Sequence, residues 1–266
     1  MKPFLKWAGN KYRLLDKIQG LLPYGDRLIE PFVGAGAVFL NTVFESYLLA
    51  DINPDLIHLY QTLQTEGKIF IAECKSYFVP GNNERAQYLH LREKFNQSKN
   101  IRERSALFLY LNRHGYNGLC RYNSQGGFNV PFGKYAKPYF PEVEMHYFYQ
   151  KAQTAQFIIQ DFRKTLENTM PGDVVYCDPP YVPMSATSNF TSYASGGFST
   201  QDQLDLATLA KKLSSKNISV LISNHDNAFT QEAYSAGEII QFDVQRYISC
   251  QGESRNKVSE VLALFQ

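Results

Sequence analysis

The sequence predicts an α/β fold, a doubly wound and mostly parallel sheet of the Rossmann-like type, interrupted by a helical insert that carries a loop or hairpin. Short apolar runs alternate with helical patterns at both ends of the chain, which is typical of parallel strands joined by crossover helices. A glycine-rich turn follows the first apolar run, and such turns often border a ligand site. The middle of the chain lacks this alternation and is rich in Gly, Asn, Arg and aromatic residues.

The length of the chain fits a single core with an insertion. Its 266 residues, of which 44% are hydrophobic, suffice for one large domain or for one domain that carries a substantial insert. We expect residues 1–53 and 153–266 to form the body, and residues 54–152 to form the insert.

The first predicted elements surround the glycine turn 32–36. Arg27–Glu30 is an apolar run that enters this turn, and the helix after it is predicted over 38–43. A second strand, 47–51, ends in an acidic residue. Asn53 then begins another helix as its N-cap, with Pro54 at the first helical position, where its missing N–H costs nothing.

After the insert the alternation resumes. The apolar stripe over 206–213 indicates a helix, which Ser199 or Thr200 would cap with Asp202 or Gln203 available for the reciprocal bond. Five further runs are predicted to be strands: 157–160, 174–177, 219–222, 239–244 and 258–265.

The predicted insert is basic. Between Glu84 and Lys151 eleven Lys and Arg residues accompany five Asp and Glu residues, so this segment carries +6 and the rest of the chain −4. Two helical patterns, 85–95 and 101–111, lead from it into the aromatic loop. A basic insert on an acidic body is typical of a module that binds a polyanion. A solvated charged face is the alternative interpretation.

The cysteines and the N-terminus exclude several classes of protein. The four cysteines are far apart and form no C-x-x-C pair, so neither a zinc site nor a disulfide framework is indicated, and we expect no metal. No apolar stretch has the length of a signal peptide or of a membrane span. We therefore expect a soluble cytoplasmic protein without a membrane partner.

The glycine turn is the first candidate site. Glycines at a strand-to-helix turn let the backbone approach a ligand, and Asp51 at the end of the next strand can accept hydrogen bonds from ribose hydroxyls. Phe39 stands where the dinucleotide fingerprint has its third glycine, so a nucleoside without a pyrophosphate fits better. From this turn we select Phe32, Gly34 and Gly36 as ligand-binding residues; a purely structural turn is the alternative.

The second candidate site directly follows the predicted strand 174–177 and consists of Asp178, Pro179, Pro180 and Tyr181. Two prolines give a stiff turn whose carbonyls can face outward. The Asp178 carboxylate and the Pro179 carbonyl could accept both hydrogens of an aromatic amine, which favours the tetrahedral nitrogen that attacks a methyl sulfonium. Tyr181 offers a flat face to a base taken out of a nucleic-acid stack.

The chain as a whole resembles the DNA adenine-N6 methyltransferases of the Dam family. The resemblance rests on FLKWAGNKY, EPFVGAGAVFLN, LLADIN, FLYLNRHGYNGLCRYN, FNVPFGKYAKPYFP, VVYCDPPY, SATSNFTSY and VLISNHD. Their order, with the glycine turn first, then a target-recognition insert, then DPPY, is this family's permutation of the methyltransferase fold. The resemblance implies transfer of a methyl group from S-adenosylmethionine to the adenine of GATC in double-stranded DNA, by a protein that we expect to be a monomer.

The resemblance also implies roles for individual residues. Trp7, Lys11, Asp51 and Asp178 would contact S-adenosylmethionine or the catalytic centre, and Asp161 and Phe162 would hold the cofactor's adenine. The predicted DNA-binding residues are Lys6, Arg92, Tyr116, Asn117, Leu119, Arg121, Asn123, Pro131 and Lys134. Independently of family, the Arg121 guanidinium suits bidentate recognition of guanine O6 and N7. Tyr116 could stack in the duplex at the place that a flipped base vacates. For Tyr116, Tyr122 and Tyr135, aromatic packing of the insert is the alternative interpretation.

The sequence also bears on several other functions. A cytosine-C5 methyltransferase would need a Pro-Cys nucleophile, and the sequence has no Pro-Cys dipeptide. Methylation of cytosine N4 or of protein glutamine tends to accompany other residues before Pro-Pro-Tyr. An RNA adenine-N6 methyltransferase stays open as an alternative, as does a non-catalytic DNA-binding protein that retains the fold.

Overall fold

A computed structural model describes residues 1–181, 197–245 and 257–266, and it contains a seven-stranded sheet. The strands are β1 (Arg27–Glu30), β2 (Ser46–Asp51), β3 (Ala155–Ile159), β4 (Asp173–Cys177), β5 (Ser219–His225), β6 (Glu238–Gln245) and β7 (Lys257–Phe265). Their spatial order is β3-β2-β1-β4-β5-β7-β6. The first five strands in this order are parallel, and β7 is antiparallel to both β5 and β6. The predicted doubly wound, mostly parallel sheet is confirmed.

The strand order places a ligand-binding crevice between β1 and β4. From β1 the chain builds the sheet outward through β2 and β3, and it returns to the other side of β1 with β4 and β5. Ligands on sheets of this kind bind beyond the carboxyl ends of the strands where the order reverses. Glu30 ends β1 and Asp178 directly follows β4, so both acids lie at this switch point.

Helices cover both faces of the sheet. Within the described residues they are α1 (Leu15–Leu21), α2 (Ala37–Asn41), α3 (Pro54–Glu66), α4 (Lys68–Ser76), α5 (Arg85–Gln97), α6 (Ile101–His114), α7 (Glu142–Ala152), α8 (Phe162–Glu167), α9 (Thr200–Ser214) and α10 (Ala228–Ala233). Neighbouring strand residues contribute to separate buried clusters: Leu28 belongs to one and Ile29 to the other. This alternation is that of a sheet buried on both sides.

Two predicted helix starts are confirmed, and one predicted helix end is wrong. The Asn53 side chain accepts hydrogen bonds from the amides of Asp55 and Leu56 at the start of α3. Ser199 and Asp202 form a reciprocal capping box at the start of α9. The helix predicted over 38–43 is α2, which ends at Asn41. Val43 lies beyond it with 94% of its surface exposed, so its apolar side chain fits the helical period without being buried.

The middle segment is helical and ends in a hairpin-like loop, as predicted. Helix α6 packs against α3, α4 and α5. After α6 the chain forms the segment that we call the recognition loop, residues 115–133, which is closed by bridges between Gly115 and Phe132 and between Tyr122 and Phe128. One buried cluster contains Phe108 of the insert together with Phe157 of the sheet. Because the two parts share this core, the division into 1–53 with 153–266 and 54–152 stays a prediction.

The structure also describes three of the four cysteines and the apolar character of the helices. Cys74, Cys120 and Cys177 are buried free thiols, and Cys250 lies outside the described residues. In the described ranges, no helix combines the length and the apolar character that a membrane span requires.

Candidate active site

A cavity of about 380 Å³ opens at the carboxyl ends of β1, β2 and β4. Eleven predicted site residues line it: Trp7, Lys11, Phe32, Gly34, Asp51, Asp161, Phe162, Asp178, Pro179, Pro180 and Tyr181. Gly36 is not among the lining residues; it is buried and precedes α2 with a φ of 71°. The sheet therefore brings the glycine turn and the Asp-Pro-Pro-Tyr sequence, which are more than a hundred residues apart, into one site.

The glycine turn is held in a conformation that favours glycine. Gly34 has a φ of 46°, and its amide donates a hydrogen bond to Asp51 Oδ2 at 3.2 Å. A Cβ atom on Gly34 would lie only 3.0 Å from Trp7 Nε1, so a side chain here would be both strained and crowded. Below the turn, the buried Tyr60 hydroxyl donates to the Gly34 carbonyl at 2.6 Å. The result is a fixed strip of backbone along the cavity wall.

Asp51 presents a carboxylate to the same part of the cavity. Its Oδ1 accepts the Asn53 amide at 2.9 Å, while Oδ2 accepts the Gly34 amide. Burial raises the pKa of Asp51 to about 6, and the hydrogen bonds from these amides oppose that rise. A carboxylate oxygen has more than one acceptor site, so Asp51 retains capacity for ribose hydroxyls.

Three phenylalanines form an aromatic wall beside Asp161. The ring centroids of Phe32 and Phe162 are 5.3 Å apart, and Phe198 lies 5.6 Å from Phe32 and 5.5 Å from Phe162. Asp161 is the N-cap of α8 and accepts a hydrogen bond from the Arg163 amide. Flat apolar surfaces with a carboxylate at the edge suit a purine that carries an exocyclic amine. Phe198 was not predicted; its only sequence signal is an aromatic residue directly before the Ser199 cap.

Asp178 is held by two side chains. Its Oδ1 forms an ion pair with Lys11 Nζ at 2.8 Å and accepts a hydrogen bond from the Ser223 hydroxyl at 3.0 Å. Burial raises the pKa of Asp178 above its ordinary range, and the Lys11 charge is the largest effect that opposes this rise. The carboxylate is therefore fixed in direction, and its ionised form depends on Lys11.

Tyr181 is fixed at its edge, with Lys11 over one face. Its hydroxyl donates to Glu260 Oε2 at 3.2 Å, and its ring meets His225 at a centroid distance of 4.3 Å and an angle of 71°. Lys11 Nζ lies 4.4 Å from the ring centroid. Burial raises the pKa of Tyr181 well above its ordinary value, so the phenol is neutral. Sequence reasoning missed Glu260 and His225, which reach Tyr181 from neighbouring strands.

Glu30 is the second acid that sequence reasoning missed. It lies in the cavity wall with 2% of its surface exposed, and its Oε1 has no hydrogen-bond partner among the described residues. Burial raises its pKa to about 8, the Phe39 amide opposes this, and the negative charge of Asp178 adds to it. The position of Glu30 directly before the glycine turn was the sequence signal that could have identified it as a site residue.

The predicted DNA-binding residues cluster on the recognition loop and beside it. Six are exposed on this loop or at its end: Tyr116, Asn117, Arg121, Asn123, Pro131 and Lys134. Lys6 and Leu119 are half-buried, and the Lys6 ammonium lies 3.8 Å from the Tyr135 ring centroid. Two residues that are not glycine, Asn117 in the loop and Lys134 directly after it, have positive φ values of 52° and 54°.

Hydrogen bonds within the insert fix the shape of the loop. Arg121 Nε donates to Asn129 Oδ1 at 2.7 Å across the hairpin. The Asn123 side chain accepts the amides of the turn at Gln125 and Gly127. Arg92, on α5, donates to the Val130 carbonyl and thus supports the loop from behind.

Tyr122 packs inside the insert, and its hydroxyl donates to Asp55 at 2.7 Å. For this tyrosine, packing of the insert is the correct interpretation. The motif stretch 185–193 lies outside the described residues.

The fold and the site together define an α/β protein whose cavity, at the carboxyl ends of the strands, is lined by both the glycine turn and Asp-Pro-Pro-Tyr. A family model described as D12 class N6 adenine-specific DNA methyltransferase matches residues 7–248. The chain belongs to this family. The predicted resemblance is thereby confirmed, and the chain is an adenine-specific DNA methyltransferase.

Full-length relatives agree with this assignment. A protein named DNA adenine methylase from Vibrio cholerae serotype O1 is 55% identical over 265 residues, which cover 99% of this chain and 96% of the relative. Proteins of the same name from Escherichia coli K12 and Serratia marcescens are each 50% identical; the matches cover all of this chain and 95% and 98% of those relatives.

Proposed function

We propose that the chain transfers the methyl group of S-adenosylmethionine to N6 of the adenine in GATC, in double-stranded DNA, with this adenine flipped into the cavity. The observation that carries the proposal is the joint cavity, which both the Gly34–Asp51 contact and the Lys11–Asp178 pair line. A site with only one of these parts could bind a nucleoside or an amine, but it could not bring both reactants together.

The residues on the glycine-turn side fit S-adenosylmethionine, which when bound supplies a methyl group on a positively charged sulfur. Asp51 would accept the ribose hydroxyls, and the aromatic wall with Asp161 would hold the adenine. The unpartnered Glu30 Oε1 is an acceptor in the same cavity, and it suits a polar N–H of the ligand. Trp7 and Lys11, from the N-terminal segment of the chain, also line the cavity that would hold the cofactor.

The residues on the other side fit an adenine amine. The lone pair of this nitrogen is delocalised into the ring, and acceptors on its hydrogens stabilise the tetrahedral form in which the lone pair can attack. Asp178 and the Pro179 carbonyl would provide these acceptors, and Tyr181 would stack on the base. Stabilisation of the charge that develops on the nitrogen is the main contribution asked of Asp178. The proton can leave after the nitrogen becomes cationic, so no general base is required.

Specificity for GATC belongs to the proposal and rests on the recognition loop. Its exposed Arg121 can pair with both acceptors of a guanine in the major groove. Exposed Tyr116 could occupy the space that the flipped base leaves. The loop sequence is part of the resemblance to the Dam family, which implies GATC, and the relatives that share this chain's full length are named DNA adenine methylases.

Three further expectations belong to the same proposal. The enzyme is a monomer in solution and acts on double-stranded DNA in the cytoplasm, with the insert 54–152 as its target-recognition unit. It needs no metal ion; among the described residues there is no group of His, Cys, Asp and Glu suited to hold one. Methyl transfer that vanishes with EDTA would contradict this expectation.

A tritium-transfer assay with labelled S-adenosylmethionine tests the proposal. It compares a GATC duplex, a duplex without GATC and an RNA duplex of matched sequence. We expect label only in the GATC duplex, located on adenine N6 after nucleoside analysis. Equal label in RNA would favour the RNA alternative, and DNA binding without any label would favour a non-catalytic DNA-binding protein.

A further inference from the structure

Asn112, in the last turn of α6, holds two segments that are distant in sequence. The residue is 2% exposed. Its Oδ1 accepts the Lys6 amide at 2.9 Å, and its Nδ2 donates to the Lys6 carbonyl at 2.7 Å. The same nitrogen donates to the Gly118 carbonyl at 3.2 Å. One buried side chain thus pairs both backbone groups of Lys6 and also reaches the recognition loop.

The N-terminal arm, residues 4–12, touches the recognition loop at this point. Gly118 has a φ of 63°, and a Cβ atom on it would lie 2.2 Å from Lys6 Cβ. Any larger residue would force the two segments apart, because real Cβ contacts are never that short. Two independent observations, the close approach of Gly118 to Lys6 and the hydrogen bonds of Asn112, therefore show that the arm and the loop are in contact here.

The other end of the arm lies at the reacting centre. Directly after Lys6, the Trp7 indole packs against the Gly34 turn, with Nε1 only 3.0 Å from a Cβ built there. Five residues after Lys6, Lys11 pairs with Asp178. Because Lys6 and Trp7 are consecutive residues, whose Cα atoms lie about 3.8 Å apart, a displacement of Lys6 acts directly on Trp7 in the cavity wall.

We infer that Asn112 is a positioning residue that couples the recognition loop to the cofactor and catalytic site through the N-terminal arm. The inference rests on the proposed function, because it assumes that the loop reads DNA. When the loop binds its cognate site, its displacement is transmitted through the hydrogen bonds of Asn112 to Lys6. The arm then transmits it to Trp7 and Lys11. Without this amide the partly buried backbone groups of Lys6 lose the Asn112 side chain as their partner, and the arm is released from the loop.

The single tryptophan of the chain makes the inference directly measurable. Trp7 is the only tryptophan, and it lies in the arm where the arm lines the cavity, so tryptophan fluorescence reports on this part of the arm. We expect a GATC duplex to change the Trp7 emission of the wild-type protein without any cofactor, and a duplex lacking GATC to change it much less. In Asn112→Ala the GATC-specific change should be lost, while anisotropy of labelled DNA still shows binding.

A matched control separates coupling from stability. Asn100 begins the same helix as its N-cap, and its side chain accepts the Glu103 amide. Asn100→Ala should lower stability, as loss of a cap does, and leave the fluorescence response intact. Asn112→Ser, whose shorter side chain cannot span Lys6 and Gly118, serves if Asn112→Ala does not fold.

Kinetics supply a second readout. The coupling predicts that Asn112→Ala reduces the ratio of kcat/KM for GATC over single-substituted sites by about fivefold or more. Since Asn112 acts through Lys6, its effect and that of Lys6→Ala should be non-additive in a double-mutant cycle. Additive effects, or an unchanged fluorescence response in Asn112→Ala, overturn the inference. A wild-type protein that methylates nothing would instead overturn the proposed function.

Discussion

Lys11 Nζ lies 2.8 Å from Asp178 Oδ1, with 6% and 22% of the two side chains exposed. The pair joins the N-terminal arm to the Asp-Pro-Pro-Tyr turn, and it places a cation next to the carboxylate that the proposed chemistry needs. Without this cation, burial would favour the protonated acid, which accepts fewer hydrogen bonds. The arm therefore helps to set the charge state of the catalytic site as well as its shape.

Asp51→Ala should weaken binding of S-adenosylmethionine to the free enzyme by about tenfold or more, because a carboxylate that accepts ribose hydroxyls contributes charge-assisted hydrogen bonds. Isothermal calorimetry measures this directly. The matched control is Asp243→Ala, at a position in β6 on the far edge of the sheet. Unchanged affinity in Asp51→Ala would mean that the ribose lies elsewhere.

Glu30→Gln should alter how stability depends on pH. Because the pKa of Glu30 is about 8 in the folded protein and 4.5 ordinarily, the folded state binds the extra proton between these values. The free energy by which the raised pKa of Glu30 stabilises the folded state is fully present below pH 4.5, and it is lost as the pH rises through about 8.

The difference between variants isolates this effect. From pH 6 to pH 8 the wild type should lose about 2 kcal/mol more free energy of unfolding than Glu30→Gln. Urea titrations at the two pH values measure the difference, and Glu232→Gln at an exposed position is the control. Parallel behaviour of the wild type and Glu30→Gln would show that Glu30 is ionised in the folded protein.

Arg121→Ala should lower kcat/KM on GATC by about tenfold or more and relax the requirement at one G·C pair, because a bidentate pair discriminates by roughly 1–3 kcal/mol. The measurement is a panel of single-substituted GATC duplexes. The control is Lys134→Ala, an exposed cation that directly follows the same loop. If Lys134 only contacts phosphate, its loss should weaken all duplexes alike and reduce the salt slope by about one. A uniform loss in Arg121→Ala would show that Arg121 does not read a base.

Much of the fold was predictable because its signals are local. The caps at Asn53 and Ser199 are set by a few adjacent residues, and the apolar runs of β1 and β4 need no partner to be seen. The antiparallel insertion of β7 between β5 and β6 was not predicted, since strand order is a property of the whole sheet. Helices α4 and α7 were not predicted for a related reason. Each is short, and it packs against other helices of the insert, which a local sequence pattern does not show.

The candidate site, like the fold, could be predicted from the sequence only in part. Asp51 and Asp178 stand at strand ends beside turn residues, so the sequence alone identified them. Ser223 and Glu260 reach the site only because β5 lies next to β4 in the sheet and β7 lies next to β5, which no local pattern reveals. Asn112 was read as part of the loop motif, and its role became visible only when the fold brought the N-terminal arm against α6.

Single-turnover methyl transfer by Asp178→Asn tests the central claim most directly. This isosteric variant keeps the shape of the site but removes the charge, and Asp178→Ala serves as a second variant. Because the Asp178 acceptor matters most as the amine changes geometry, transfer to GATC should fall on the order of 100- to 1000-fold, with DNA and S-adenosylmethionine binding within about threefold of wild type. Transfer within about tenfold of the wild-type rate, an effect too small for a group that stabilises the transition state, would contradict the assignment of this cavity as the place of methyl transfer.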